Sequence, residues 1–74
     1  MSHEDKVKGA KIKIAVAARE GIEKMLRTPH GIESFGRHAN ACQCLDSLRS
    51  VQVDVEIEGI LHVFEFTIKE LFAS

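Results

Sequence analysis

The feature that most limits how this chain can fold is the alternation of apolar and polar residues between positions 51 and 66. A period of two places successive side chains on opposite faces of a β-strand. With Glu58-Gly59 as a two-residue turn, segments 51–58 and 60–66 form the two strands of an antiparallel hairpin. The expected cross-strand pairs are Ile57 with Ile60, Val55 with His62, Val53 with Phe64, and Val51 with Phe66. The hairpin therefore has one apolar face and one acidic face.

Two helices are predicted before this hairpin. Apolar residues recur every three or four positions over about 4–27, and an alanine-rich continuation favours helix over the competing strand pattern at 11–16. Thr28-Pro29 separates this helix from the next, because proline disfavours helix in the residue before it and suits the first helical position. Apolar residues again recur every three or four positions over about 29–49, which predicts a second helix there. Its apolar stripe consists of Ile32, Phe35, Ala39, Cys42, Leu45 and Leu48.

The expected fold is one small α+β domain over residues 1–74, in the order helix-helix-strand-strand. An αα-hairpin packs on one face of the β-hairpin, and a short C-terminal helix over about 68–73 follows, starting from the capping pattern Thr67-x-x-Glu70. A chain of this length buries only ~60–65% of the surface that its unfolded form exposes. Cys42 and Cys44 cannot add a useful disulfide, because a Cys-x-Cys bridge is strained and closes almost no loop. Self-association as a homodimer is therefore the expected source of further burial.

Charge is unevenly distributed along the chain. Residues 1–27 hold seven basic and four acidic residues, a net charge of +3, whereas residues 51–74 hold one basic and five acidic residues, a net charge of −4. The sequence has no signal-peptide pattern and no apolar run near the ~20 residues that a membrane span requires. A cytoplasmic protein without membrane contact is expected.

Candidate metal ligands and catalytic groups are few. His38 and Cys42 lie four positions apart on the predicted second helix and would share a face, a spacing that suits Zn²⁺. No further Cys or His element completes such a site, so we interpret Cys42 as a small buried apolar residue. His62 is interpreted as a core histidine with a satisfied hydrogen bond. We expect no enzyme activity, no metal and no cofactor.

The outer face of the hairpin holds the candidate interaction site. Leu61 and Val63 share this face with Asp54 and Glu56, away from the predicted helices. A two-stranded hairpin is marginal alone, and its unpaired backbone groups invite another strand. The sequence therefore predicts a small non-enzymatic protein-interaction or regulatory module that acts as a homodimer, with a different protein as a further candidate partner.

The alternative is a nucleic-acid-binding accessory protein that uses a basic N-terminal helix. Its candidate phosphate contacts are Lys6, Lys8, Lys11 and Lys13. An isoelectric point near 6.4 and the absence of Tyr and Trp for base stacking count against this function. A solvated helix face is the better interpretation of these lysines.

Overall fold

Within residues 3–74, two helices and a three-stranded antiparallel sheet make an α+β architecture. The computed structural model describes residues 3–74. Its elements are α1 (His3–Leu26), α2 (Pro29–Phe35), β1 (Asn40–Gln43), β2 (Ser50–Ile57) and β3 (Ile60–Thr67). The strands lie in the order β1-β2-β3, so β1 and β3 are both edge strands.

The β2–β3 hairpin has the register that the alternation predicts. Ile57 pairs with Ile60, and the pairing continues without a bulge to Ser50 and Thr67. Glu58 and Gly59 in the turn both have positive φ, at 53° and 81°. Positive φ at both central residues is the requirement of a type I′ turn, whose twist matches that of the strands it joins.

The second helix ends much earlier than the predicted 29–49. Thr28 caps α2 by accepting a hydrogen bond from the Gly31 N–H, Pro29 opens the helix, and Gly36 ends it with a φ of 81°. The expected helical stripe beyond Gly36 is wrong, because residues 40–43 form β1 and pair with β2. Pairing with β2 satisfies the backbone of this segment and buries Ala41, which a continued helix would not do.

The core lies between α1 and the first two strands. Leu26 of α1 is 2% exposed and forms a buried cluster with Ala39, Ala41 and Val55. α1 packs on β1 and β2, and α2 packs on β2. The expectation that the helices cover one face of the whole hairpin is therefore wrong for β3. All eight residues of this strand are exposed.

The helix α1 is longer than the sheet beneath it. Its 24 residues span about 36 Å, whereas an eight-residue strand spans about 27 Å. The molecule is consequently elongated, with extents of 46 × 22 × 19 Å. Along residues 3–74 no helix combines the length and the apolar character needed to cross a membrane.

The predicted C-terminal helix over 68–73 is absent. Residues 68–74 contain neither helix nor strand, and Leu71 and Phe72 are each 84% exposed. A helix of one or two turns is unstable without an apolar face packed on a neighbour. These two side chains have no such neighbour, so the capping pattern at Thr67 does not lead to a helix.

Candidate functional site

The backbone groups of β3 divide between its neighbour and its free edge. In an antiparallel pair, a residue directs both its N–H and its C=O either towards the partner strand or away from it, and the two orientations alternate. The Ile68 N–H donates to the Arg49 carbonyl at 2.9 Å, one position beyond the pair Ser50–Thr67. Even-numbered residues of β3 therefore bond to β2. The outward-directed residues are Leu61, Val63, Glu65 and Thr67.

The opposite edge of the sheet, along β1, is closed by α1. The Ala41 N–H points outward and donates to a Glu23 carboxylate oxygen at 2.8 Å. The Arg27 guanidinium donates to the Ala39 carbonyl and, at 3.0 Å, to Asn40 Oδ1. Glu23 and Arg27 also pair with each other at 3.2 Å. This ion pair occupies the outward Ala41 N–H and the Ala39 carbonyl, two of the backbone groups that a further strand would need, so β1 cannot readily accept one.

The edge of β3 has no comparable cover. Within residues 3–74 no strand lies beyond β3, and the hydrogen bonds between side chains and backbone all lie elsewhere. An eight-residue edge without a bulge or a proline is the kind of strand that pairs with another chain. The sheet thus has one protected edge and one open edge.

Apolar side chains surround this open edge on both faces of β3. On the inner face, Ile60 is 62% exposed and Phe64 is 54% exposed, because α1 lies over β1 and β2 instead. His62 shares this face and is also exposed, which corrects the expected core histidine. Its ring stacks on Phe64 with centroids 6.3 Å apart. Sequence reasoning missed this face because it assumed that the helices would cover it.

The predicted outer-face residues lie together as expected from the alternation. Leu61 is directly opposite Glu56, and Val63 is directly opposite Asp54. Leu61 is 60% exposed and Val63 is 53% exposed. The Glu56 carboxylate also lies 3.9 Å from His38 Nε2. Two exposed apolar side chains on the edge strand are therefore flanked by carboxylates on the neighbouring strand.

His38 and Cys42 do not share a helix face. His38 lies in the segment before β1, and Cys42 lies within β1, where it is exposed opposite Gln52. The expected burial of Cys42 is therefore wrong. Among residues 3–74 no group of three or more His, Cys, Asp or Glu side chains could hold a metal ion.

Cys44 follows β1 directly and is half-buried. Desolvation, followed by the nearby Glu65 carboxylate, raises the pKa of the Cys44 thiol. A raised pKa disfavours the thiolate, which is the reactive form of cysteine. The environment of Cys44 is thus the opposite of the one that activates a cysteine nucleophile.

The four candidate phosphate contacts do not form one basic face. A helix turns by about 100° per residue, so Lys6 and Lys13 lie on one side of α1 and Lys8 and Lys11 lie on another. Lys8 and Lys11 border a shallow cleft that also includes Arg49 and the carboxylates of Glu4 and Glu70. The positive charge is divided between two sides and is partly neutralised on one of them.

We therefore expect no binding to DNA or RNA tighter than the micromolar range at physiological salt. Fluorescence anisotropy with single-stranded and double-stranded oligonucleotides measures this directly. Submicromolar binding that falls steeply with salt, and that Lys11→Glu with Lys13→Glu abolishes, would contradict the expectation. It would then favour the accessory nucleic-acid-binding function.

The contrast between the two sheet edges is the most distinctive feature of the described residues. Glu23 and Arg27 close one edge, whereas β3 presents an unpaired edge with apolar side chains on both faces. Comparisons with protein-family models, with curated proteins and with solved structures find no match to this chain.

Proposed function

We propose that this protein is a small, non-enzymatic protein-interaction module of a regulatory kind that acts as a homodimer. The observation that supports the proposal is the open edge of β3, which is exposed at all eight positions. Proteins usually protect such an edge with charge, proline, a bulge or a covering element. Here α1 protects only β1, so the exposed strand is best explained as a binding surface.

The exposed apolar area around β3 is comparable to the largest apolar patch of a typical monomer. Six apolar side chains on or next to this strand are between 37% and 62% exposed, namely Ile57, Ile60, Leu61, Val63, Phe64 and Phe66. At about 150–200 Å² for each side chain, this amounts to on the order of 500 Å². The largest apolar patch of a typical monomer covers about 300–600 Å². A standard interface buries ~800 Å² per partner, and this apolar area, if covered by a partner, would supply more than half of it.

The charge distribution permits two copies of the chain to meet. The formal net charge is only −1, so two chains do not repel each other strongly. The edge strand itself carries one formal charge, at Glu65. A second copy of the chain is therefore a suitable partner for this surface.

Sedimentation equilibrium tests the proposal. We expect the mass of two chains at tens of micromolar, because association would pair the open edge of β3 and remove part of its apolar surface from water. A wild-type chain that keeps the mass of one chain at several hundred micromolar would contradict the homodimer.

A further inference from the structure

We infer that two copies join through β3 itself, antiparallel about a two-fold axis perpendicular to the sheet, with Phe64 opposite the partner's Phe64. The result is a continuous six-stranded sheet in which β1 forms both outer edges. This inference rests on the proposed homodimer and identifies its seam and register. It follows from the open edge of β3, the closed edge of β1 and the alternation of the backbone groups.

A two-fold axis restricts the possible registers. Directly opposed residues of neighbouring strands lie on the same face of a sheet, so even-numbered residues of β3 must face even-numbered residues of the partner. The axis must therefore pass beside one residue that faces its own copy. Near the middle of β3 this residue is Val63, Phe64 or Glu65.

The register centred on Phe64 satisfies all the outward backbone groups. It places Leu61 opposite the partner's Thr67 and Val63 opposite the partner's Glu65, and the two reciprocal pairs follow by symmetry. These four pairs supply about eight backbone hydrogen bonds, two for each pair. No outward-directed group of β3 is left without a partner.

The other two registers are less favourable. A centre at Val63 places Thr67 opposite the partner's Gly59, which lies in the turn, where φ is 81° and the strand has ended. A centre at Glu65 places two carboxylates directly opposite each other, which is destabilising in a sheet. It also carries Leu61 past the end of the partner strand. Both registers lose backbone pairing that the Phe64 register retains.

The Phe64 register also brings the inner-face rings together. Phe64 and the partner's Phe64 form a pair without mutual hydrogen bonds, in which side chains approach most closely, with Cα atoms about 4.5 Å apart. His62, already stacked on Phe64 within its own chain, lies opposite the partner's Phe66. Aromatic pairs of this kind stabilise neighbouring strands. No two like charges lie directly opposite each other across the seam, and the two Glu65 side chains are diagonal neighbours about 7–8 Å apart.

A face-to-face arrangement, with the side of the partner's α1 opposite Ala15 lying on the inner face of β3, conflicts with the charges on that side of α1. Ala15 is fully buried against the sheet, so the opposite side of α1 carries Lys13, Glu20 and Lys24, all of which are exposed. If two chains packed face to face, with both α1 helices between the two sheets, these charges would lie against Ile60 and Phe64. Burial of unpaired charges against apolar side chains is strongly unfavourable.

Amide hydrogen exchange in the wild-type protein tests the seam without any substitution at Phe64. In a dimer joined through β3, the four outward amides of Leu61, Val63, Glu65 and Thr67 should exchange at least about tenfold more slowly than in dilute, monomeric protein. The amides of His62, Phe64 and Phe66 bond to β2 in both states. They serve as internal controls whose protection changes much less.

Disulfide cross-linking tests the register. On a background of Cys42→Ser with Cys44→Ser, Phe64→Cys should form a covalent dimer under mild oxidation, because its Cβ atoms lie about 4.5–5.5 Å apart in the Phe64 register. Phe66→Cys on the same background is the matched control, since residue 66 faces the partner's residue 62. In the Val63 register, residue 64 lies diagonally about 7–8 Å from its copy, too far for an unstrained bridge.

The outcomes of these experiments distinguish a wrong seam or register from a wrong homodimer. A dimer whose four outward amides stay as fast as in the monomer would place the interface elsewhere and overturn the seam, while the homodimer stands. Efficient cross-linking of Val63→Cys but not of Phe64→Cys would overturn the register. A chain that sediments as a monomer at all concentrations would contradict the homodimer and the seam together.

Discussion

The substitution Val63→Asp should convert the homodimer into a monomer that is itself less stable than the wild-type chain. Val63 is 53% exposed on the edge strand and lies directly opposite Asp54. The new carboxylate would therefore face Asp54 within the chain and the partner's Glu65 across the proposed seam. Like charges opposite each other destabilise a sheet, and a charge on an edge strand opposes the addition of a further strand.

The effect on association should exceed the effect on folding. Two half-buried valine side chains are lost from each dimer, at about 1.5 kcal/mol for each, so Kd should rise by roughly two orders of magnitude. The free energy of unfolding of the monomer should fall by about 1–2 kcal/mol, from charge repulsion and the poor strand propensity of aspartate. Sedimentation equilibrium gives the first quantity, and urea unfolding gives the second.

Val63→Thr is the matched control for this substitution. Threonine keeps the β-branched shape and adds no charge, so the dimer should weaken far less than with aspartate. Unchanged association of Val63→Asp would show that the outer face of β3 does not contribute to the interface. If the wild-type chain were instead monomeric, Leu61 and Val63 would become candidates for binding a different protein.

The substitution Gly31→Ala should destabilise the fold by about 3 kcal/mol, at the upper end of the usual cost of overpacking. A Cβ at this position would lie 2.1 Å from the Met25 carbonyl oxygen and 2.8 Å from the Leu26 Cα. Both are backbone atoms of the last turn of α1, so no side-chain rotation relieves the clash. α2 would have to move away from α1 and disturb Leu26, the largest fully buried side chain.

Gly21→Ala is the control that the chain itself offers. Gly21 lies in an exposed part of α1, and a Cβ there meets nothing within 4 Å. Alanine at this position should stabilise the protein by about 0.5–1 kcal/mol through higher helix propensity. Thermal unfolding at one fixed protein concentration compares both variants with wild type, with a shift of about 4–8 °C for each kcal/mol. A Gly31→Ala variant as stable as wild type would contradict the close approach of the two helices.

Local patterns predicted the elements whose determinants are close together in the chain. The alternation from Val51 to Phe66 specified the hairpin register, because a slip by one residue would have moved every apolar side chain to the wrong face. Thr28-Pro29 specified the junction of α1 and α2, since the cap and the proline act on neighbouring residues. Both features depend on interactions within a few residues or across a tight turn.

The segment after Gly36 shows where local patterns are insufficient. Ala39, Cys42 and Leu45 fit a helical repeat, while Ala39 and Ala41 fit a strand equally well. Pairing of β1 with β2, between residues 8 to 14 positions apart along the chain, decides between them. This competition is tertiary, so no short window of sequence contains it.

The sequence alone determined that the chain carries a β-hairpin with Leu61 and Val63 on the same face as Asp54 and Glu56. Only the tertiary structure decided that the two edges of the sheet differ. That difference arises because α1 lies to one side, where Glu23 reaches the Ala41 N–H of β1 across 18 residues of sequence and Arg27 reaches the Ala39 carbonyl, just before β1, across 12. The same placement leaves both faces and the edge of β3 uncovered, since a single helix about 10 Å wide cannot span three strands about 4.8 Å apart and also close both edges.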